Sequence, residues 1–495
     1  MHGTALSLNM TTADTHPDPA TRLRMLVAIA SYGSGNDAYL RELISTYQSM
    51  SLKIDIIVLS NIAKDLSEGV ECRVGLPNRN PWSLPFGHKK LFAEQADNYD
   101  LFLYSEDDIL VTERNIRAFL AVSEELAADE VAGFLRFEEG TDGRLNYPDW
   151  HAHFHWDCAS VRSRGEYVVA HFSNEHSACY LLTQSQLKAA IRSGGFLVDP
   201  HEEKYDLLCA AATDPYTQCG MTKLIPVSHI DDFTVHHMSN KYVDVVGISS
   251  SEFRRQVDAL LAINEDHSRA GSLIDTETTL PRGAYSKDYY APRSVDVLSA
   301  VPLSAKRVLS IGYGAGMNEL ALTERGVEVT VVPLNAVCAA SASANGLRVV
   351  EGDLDTARTK LGSETFDCVL YLDVLHLADD PGRILSLFRP VCAPGGTIVI
   401  QSPNLRSAQA MRWSIRSRRL SGSNKLSRAR AYQSSVRVVG GWCRTAGYTV
   451  IDTTGMNSRP IFGYRGSAGS FIDLFMAAEF LVTARPATIY GDLKA

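Results

Sequence analysis

Several features are absent from this 495-residue chain, and each absence excludes a class of protein. No apolar run approaches the ~20 residues that a membrane-spanning helix needs, and the N-terminus has neither the basic nor the apolar segment of a signal peptide. The nine cysteines include no C-x-x-C pair, so a disulfide framework is not expected. Positive charge is not in excess, because the net charge is −9, and we expect no nucleic-acid partner. These features predict a cytoplasmic protein with reduced thiols.

The composition is that of a globular chain that can bury sizeable cores. Hydrophobic residues make up 45% and charged residues 21%, and the length predicts two to four domains at roughly 150 residues each. We expect a loose tail over residues 1–21, an α/β domain over 22–267, a polar linker over 268–293 and a second α/β domain over 294–495. The predicted fold class is therefore two tandem α/β domains with mostly parallel sheets.

An acidic cluster follows a buried strand in the first domain. The run YDLFLYS reads as a strand and ends in Glu106, Asp107 and Asp108. Ligands of open α/β sheets bind at this end of the strands, and clustered carboxylates suit a divalent cation that can hold a diphosphate. The alternative is that the acidic residues only cap the helix that follows.

The order of elements over about 240 residues of this half resembles nucleotide-sugar glycosyltransferases of the A-type fold (GT-A). In that family the first strand and its loop, here AIASYG, meet the nucleotide, and a motif like Glu106 to Asp108 holds Mn²⁺ or Mg²⁺. The resemblance implies a nucleotide-sugar donor and a glycan or glycolipid acceptor. It also implies a late histidine as a further metal ligand, at His236 or His237, and a general base at Glu202 or Glu203.

Two further segments of this half allow more than one interpretation. In HAHFHWDC the histidines alternate, and in a strand they would share one face. An H-x-H-x-D hydrolase site is disfavoured because Cys158 stands where that motif continues with histidine, which leaves an acceptor-binding wall, with Trp150 and Trp156 stacking on sugars, or a plain surface strand. Lys89 and Lys90 are either phosphate contacts near a helix start or solvated lysines.

The second half carries a glycine-rich turn between a strand and a helix. In VLSIGYGAGMNEL, Gly312, Gly314 and Gly316 let the backbone turn sharply and approach a ligand closely. The strands and turns that follow resemble class I S-adenosylmethionine-dependent methyltransferases over about 190 residues, which implies a doubly wound sheet that binds S-adenosylmethionine.

Two positions depart from the methyltransferase pattern. Ser310 and Pro333 stand where that family carries acidic residues, before the glycine turn and at the end of the second strand. Asn335 is the nearest substitute for the ribose contact, and Asp353 matches the position that contacts the adenine. Without both acids, cofactor binding loses charge-assisted hydrogen bonds worth roughly 1.5–3 kcal/mol each.

The fourth strand of this half ends at Asp373, a further candidate for cofactor binding, and His376 follows in the loop. An imidazole suits proton transfer near pH 7, so His376 is the candidate proton acceptor for methyl transfer to a hydroxyl; the alternative is that it only packs. Residues 406–430 hold eight Lys or Arg and no acid, which makes them a candidate contact for an acidic glycan or an anionic membrane surface, or a solvated basic loop.

The sequence thus predicts a bifunctional glycan-modifying enzyme, with metal-dependent sugar transfer in the first half and methyl transfer in the second. It is expected in the cytoplasm, with the inner membrane face as a peripheral site. Two alternatives keep a single chemistry. One is a methyltransferase whose first domain only binds glycan, and the other is a glycosyltransferase with a degenerate, docking methyltransferase-like domain.

Overall fold

The computed structural model describes residues 23–407, 410, 429–456 and 477–487. The tail expected over 1–21 and most of the basic segment 406–430 therefore lie outside the described residues. Within the described part, no helix is both long enough and apolar enough to cross a bilayer.

The N-terminal region alternates short strands and helices up to residue 265. Its elements are β1 (Arg24–Ser31), α1 (Asp37–Ser49), β2 (Lys53–Ser60), β3 (Val70–Val74), α2 (Gly87–Glu94), β4 (Leu101–Glu106), β5 (Ile109–Leu110), α3 (Glu113–Ser123), β6 (Glu130–Ala132), β7 (Leu135–Glu139), β8 (Leu145–Tyr147), β9 (Trp156–Arg164), β10 (Tyr167–Phe172), β11 (Cys179–Thr183), α4 (Gln184–Ser193), α5 (Leu207–Thr217), β12 (Thr222–Pro226), β13 (Thr234–His237), β14 (Ile248–Ser249) and α6 (Ser250–Glu265). Two 3₁₀ segments, Pro81–Phe86 and Val227–Phe233, interrupt the series.

A five-stranded sheet in the order β11-β4-β1-β2-β3 forms the centre of this region. Strands β3, β2, β1 and β4 run parallel, and β11 pairs antiparallel with β4. Strand β1 is buried at every residue after the first, which explains why its sequence is an unbroken apolar run rather than an alternating one. The carboxyl ends of β1 and β4 lie side by side, since Ala30 is in register with Glu106.

The C-terminal region begins after a connector (residues 266–294). Its elements are α7 (Val295–Ala300), β15 (Arg307–Tyr313), α8 (Met317–Thr323), β16 (Glu328–Pro333), α9 (Ala336–Ala344), β17 (Arg348–Val349), α10 (Leu354–Leu361), β18 (Phe366–Leu372), α11 (Pro381–Phe388), β19 (Cys392–Pro403), α12 (Val436–Thr445), β20 (Tyr448–Met456) and β21 (Glu479–Pro486). Short 3₁₀ turns occur at His267–Arg269, Pro281–Gly283 and Arg389–Val391.

These strands form one seven-stranded sheet in the order β17-β16-β15-β18-β19-β21-β20. It is parallel except that β21 runs antiparallel to both β19 and β20. The order reverses between β15 and β18, so the crevice where open α/β sheets bind ligands lies at the carboxyl ends of these two strands. The doubly wound sheet predicted for this half is confirmed.

The two regions share buried contacts. Ala336 and Val337, at the start of α9, belong to the hydrophobic core of the N-terminal region, and Ser341 of α9 donates a hydrogen bond to Glu252 of α6. The connector also touches both sides. The amide of Tyr289 donates to the carbonyl of Ala152 at 2.8 Å, and its own carbonyl accepts from the amide of Ala315 at 2.9 Å.

Candidate functional site

The glycine turn after β15 is shaped by close contacts that only glycine permits. Gly312 and Gly316 have φ of +82° and +75°, in the left-handed region that L side chains avoid. A Cβ at Gly312 would lie 2.5 Å from a methyl group of Val374, and one at Gly316 would lie 2.0 Å from the ring of Tyr313. At Gly314 the crowding is milder, with backbone of the connector 3.0 Å from such a Cβ. The turn therefore packs tightly between β18 and the connector.

The residues that depart from the expected pattern have specific partners. Ser310 donates its hydroxyl to the carboxylate of Glu319 at 2.6 Å. Pro333 ends β16 and offers no side-chain acceptor. Asn335 caps α9, because its side-chain oxygen accepts from the amide of Cys338 at 2.9 Å. Asp353 is likewise a helix cap, which accepts from the amide of Thr356 at 2.7 Å and is exposed.

Asp373 directly follows β18, at the crevice. Its φ is +52°, an uncommon conformation for a residue other than glycine, and its Oδ1 atom is buried without a hydrogen-bond partner among the described residues. Burial raises the pKa of Asp373 to about 7, and the charge of Glu479 adds to the shift. Lys287 of the connector is also buried here and donates to the carbonyl of Leu372 at 2.7 Å.

His376 lies one turn further along and is almost fully buried. Its Nε2 is 2.8 Å from the carbonyl of Tyr285, so Nε2 carries the proton and Nδ1 is left as a bare acceptor. Nδ1 has no partner in the described part of the chain. Burial lowers the pKa of His376 to about 4, which keeps the ring neutral at pH 7 and makes it a weak base.

Comparisons with known proteins bear on this region. Residues 284–452 match the family model for a methyltransferase domain. Together with the sheet order and the glycine turn, this match decides the identity of the region. Residues 284–452 form a class I methyltransferase domain.

Two curated relatives of the methyltransferase domain come from bacteria. The ubiquinone biosynthesis O-methyltransferase of Stutzerimonas stutzeri (strain A1501) is 25% identical over 171 residues, which cover 32% of this chain and 72% of the relative. The enzyme of the same name from Xylella fastidiosa (strain 9a5c) is 26% identical over 182 residues, or 34% and 72% of the two chains. A solved S-adenosylmethionine-dependent methyltransferase from Archaeoglobus fulgidus aligns at 17% identity with a TM-score of 0.29, over 37% of this chain and 86% of that one.

In the N-terminal region, the carboxylates at the end of β4 point to different partners. Asp107 accepts from the Ser31 hydroxyl at 2.6 Å and from the Asn36 amide at 2.8 Å. Asp108 lies 3.2 Å from Nε2 of His237. Burial raises the pKa of Glu106 to about 8, and the neighbouring Asp108 adds to this. The three carboxylates are consecutive in sequence, but Asp107 and Asp108 bind different partners in the structure.

His237, rather than His236, is the late histidine that reaches this edge. Its Nδ1 lies 2.7 Å from a carboxylate oxygen of Glu138, while Nε2 faces Asp108. Burial opposes protonation, but the hydrogen bonds to both carboxylates outweigh it and raise the pKa of His237. His236 instead stacks on Phe137 with ring centroids 4.9 Å apart. Within the described residues, no group of three or more His, Cys, Asp or Glu side chains could hold a metal ion.

A cavity of about 260 Å³ opens beside Asp107 at the ends of β1 and β4. Glu106 and Asn36 line it, together with Tyr32 and Trp82. These two aromatic side chains are 53% and 51% exposed, so they are available to a ligand. Tyr32 belongs to the loop AIASYG that the resemblance assigns to the nucleotide, whereas no sequence signal indicated Trp82.

The proposed general bases lie elsewhere. Glu202 pairs with Arg282 of the connector at 2.6 Å, and Glu203 accepts from the Gln218 amide at 3.2 Å. Neither belongs to the described residues that line the cavity beside Asp107. The Glu202 side chain joins the N-terminal region to the connector, as does the Glu203 carbonyl, which accepts from the Arg282 amide at 3.1 Å.

Three expectations for the N-terminal region are wrong. The alternating histidines do not share a strand face, because β9 begins only at Trp156. Trp150 and Trp156 cannot stack on sugars, since both are buried and pack against Phe172. Lys89 is no phosphate contact either.

The contacts of the two lysines and of the histidine segment differ from those expected. Lys89 is buried in an ion pair with Asp214, whose other oxygen is 3.0 Å from His201, while Lys90 is exposed beside Glu94 at 3.8 Å. His155 packs its ring on Tyr289 of the connector, with centroids 4.5 Å apart. The histidine segment therefore holds the connector.

Proposed function

We propose that the protein is an S-adenosylmethionine-dependent methyltransferase that acts on a hydroxyl group. The observation that carries this proposal is the glycine turn of the methyltransferase domain, which lies at the strand ends near Asp373, whose Oδ1 has no hydrogen-bond partner among the described residues. Both curated relatives described above are named O-methyltransferases, which supports a hydroxyl acceptor.

The residues present suit the amino-acid end of the cofactor better than its ribose. Gly312, Gly314 and Gly316 add no side chains of their own to the turn, and Lys287 offers a buried ammonium group that can face a carboxylate. The chain offers fewer hydrogen-bond acceptors to the ribose of the cofactor, because Pro333 has no side-chain acceptor and the side-chain oxygen of Asn335 already caps α9. We therefore expect the chain to bind the cofactor more weakly than a domain with both acids.

When bound, S-adenosylmethionine supplies an activated methyl group on a sulfonium centre. The chain must orient the acceptor hydroxyl and take its proton as the new O–C bond forms. Asp373, with a pKa raised to about 7 by burial, matches that task near neutral pH. His376 is the second candidate, with an Nδ1 that has no partner in the described ranges and a pKa lowered to about 4, and it accepts a proton less readily.

The test is isothermal titration calorimetry of the full chain with S-adenosylhomocysteine. Gly312→Ala should abolish binding, because the new Cβ would collide with Val374 and the turn would lose its left-handed φ. Gly271→Ala is the matched control, since nothing lies within 4 Å of its built Cβ. Binding by neither the wild type nor the control would refute the proposal and favour a degenerate docking domain.

A second candidate function for the N-terminal region is sugar transfer from a nucleotide-sugar donor to a glycan or glycolipid. The observation that favours it is the cavity at the ends of the parallel strands β1 and β4, which combines Asp107 with the exposed rings of Tyr32 and Trp82. Aromatic rings can stack on a base, and a carboxylate at a strand end can recruit Mn²⁺ or Mg²⁺ with the diphosphate. Donor binding would have to supply the remaining metal ligands.

Thermal unfolding with a panel of nucleoside diphosphates, each with Mn²⁺ and with a chelator, tests this candidate. A ligand at 100 times its dissociation constant stabilises a folded domain by about 2.7 kcal/mol. The shift should need the metal and should disappear in Asp107→Asn and Asp108→Asn but not in Asp142→Asn, an exposed control. A shift with oligosaccharides alone would instead support a non-catalytic glycan-binding region.

A further inference from the structure

A second carboxylate lies beneath the glycine turn of the methyltransferase domain. Glu319 is on α8, directly after the turn, and its side chain reaches back to β15, where Oε1 accepts the Ser310 hydroxyl at 2.6 Å. Both residues are buried, with exposures of 4% and 1%. Glu319 therefore brings a carboxylate to the point where β15 enters the turn.

The charge of Glu319 also acts on the turn. The pKa of Tyr313, inside the turn, is raised first by burial and then by the charge of Glu319. A buried carboxylate is costly unless a donor or a positive charge compensates it, and a single neutral hydroxyl is a modest partner. Among the described residues Ser310 is the only side chain that donates to Glu319, so the carboxylate retains acceptor capacity where β15 enters the turn.

The position of Ser310 shows why the acid expected there is absent. A carboxylate at position 310 would point at Glu319, and two buried carboxylates at hydrogen-bonding distance repel each other strongly. The two positions can therefore hold only one carboxylate between them. In this chain the carboxylate comes from the helix after the turn, and the strand before it supplies a small hydroxyl.

We propose that Glu319 replaces the missing acid before the glycine turn and binds the ammonium group of the cofactor's amino-acid end. This inference rests on the proposed methyltransferase function, and it assigns one contact within that site. The opposite charge, the carboxylate of the same end, is left to Lys287. With these two residues the chain can hold both charges of an amino acid without an acidic residue on β15.

The experiment compares two ligands that differ only at the amino-acid end. S-adenosylhomocysteine carries the ammonium and carboxylate groups, whereas 5′-methylthioadenosine lacks both. Glu319→Gln should weaken S-adenosylhomocysteine by about 10- to 100-fold and leave 5′-methylthioadenosine unchanged in calorimetry with the full chain. Glu324→Gln, an exposed acid at the end of α8, is the matched control and should change neither affinity.

A double variant separates a binding role from a structural one. Ser310→Asp/Glu319→Ser moves the carboxylate back to the strand and should recover most of the S-adenosylhomocysteine affinity that Glu319→Gln loses. Equal losses for both ligands, or no recovery in the double variant, would overturn the inference and leave Glu319 as a packing residue. If the wild type binds neither ligand, the proposed function itself fails; if it binds both and Glu319→Gln is neutral, only this inference fails.

Discussion

Asp373 is expected to make the methyltransferase domain less stable as the pH rises, and Asp373→Asn should remove that dependence. The folded-state pKa of about 7 lies above the ordinary 3.8, because the carboxyl group is buried at the end of β18. Between these two values the folded chain binds the proton that the unfolded chain releases. Stability therefore falls as the pH rises towards 7 and levels off above it.

The magnitude follows from the size of the shift. One pKa unit corresponds to about 1.4 kcal/mol. Between about pH 5 and pH 8 the loss occurs mainly below the folded-state pKa of about 7, over roughly two pH units, and it should cost the wild type about 3 kcal/mol. Lys287 offsets part of the burial cost, and Glu479 adds to it. Asn cannot ionise, so the variant should lack this contribution.

Urea unfolding of the full chain at several pH values measures the effect as the difference between variant and wild type. Asp452→Asn, which replaces an exposed acid on β20 of the same sheet, is the control and should follow the wild type. The variant should gain stability relative to the wild type as the pH rises. Parallel pH profiles for the wild type and Asp373→Asn would show that the pKa of Asp373 is not raised in the folded chain.

Three further substitutions probe the other contacts. Lys287→Met keeps the buried stem but removes the ammonium. It should weaken the binding of S-adenosylhomocysteine by about tenfold in calorimetry and leave the binding of 5′-methylthioadenosine unchanged. If the variant and the wild type bind S-adenosylhomocysteine equally well, the role of Lys287 is contradicted. His237→Ala leaves Asp108 and Glu138 without their shared partner and should cost about 1–3 kcal/mol in urea unfolding, whereas a neutral result would mean that water replaces the ring. Val337→Asp places a charge in the core of the N-terminal region and should separate one calorimetric unfolding transition into two; a single transition would argue against a shared core.

The sequence is sufficient to predict the strands of the sheet in the methyltransferase domain. Parallel strands covered on both faces must be apolar throughout, so β15 and β18 stand out as continuous runs. The glycine turn is equally visible, because Gly312 and Gly316 adopt positive φ that other residues avoid. These are local signals, and a local signal can be recognised without knowledge of tertiary contacts.

The errors in the N-terminal region come from contacts between distant residues. Lys89 and Asp214 are 125 positions apart, so nothing near Lys89 in the sequence shows that it is buried and paired. Alternation at His151 to His155 predicts a strand face only if the backbone is extended, and there the chain turns before β9 starts. Likewise, His236 and His237 differ only in which one faces the sheet edge, and this depends on the pairing of β13 with β7 and β5.

The connector contacts both regions of the molecule. Tyr289 donates its amide to Ala152 on one side and accepts from Ala315 of the glycine turn on the other, while its ring stacks on His155. Tyr289 thus links the glycine turn to the histidine segment through direct contacts. The N-terminal region thus helps to set the geometry of the cofactor site, whether or not it carries a chemistry of its own. An isolated methyltransferase domain would lose these contacts, so its failure to bind cofactor would say little about the full chain.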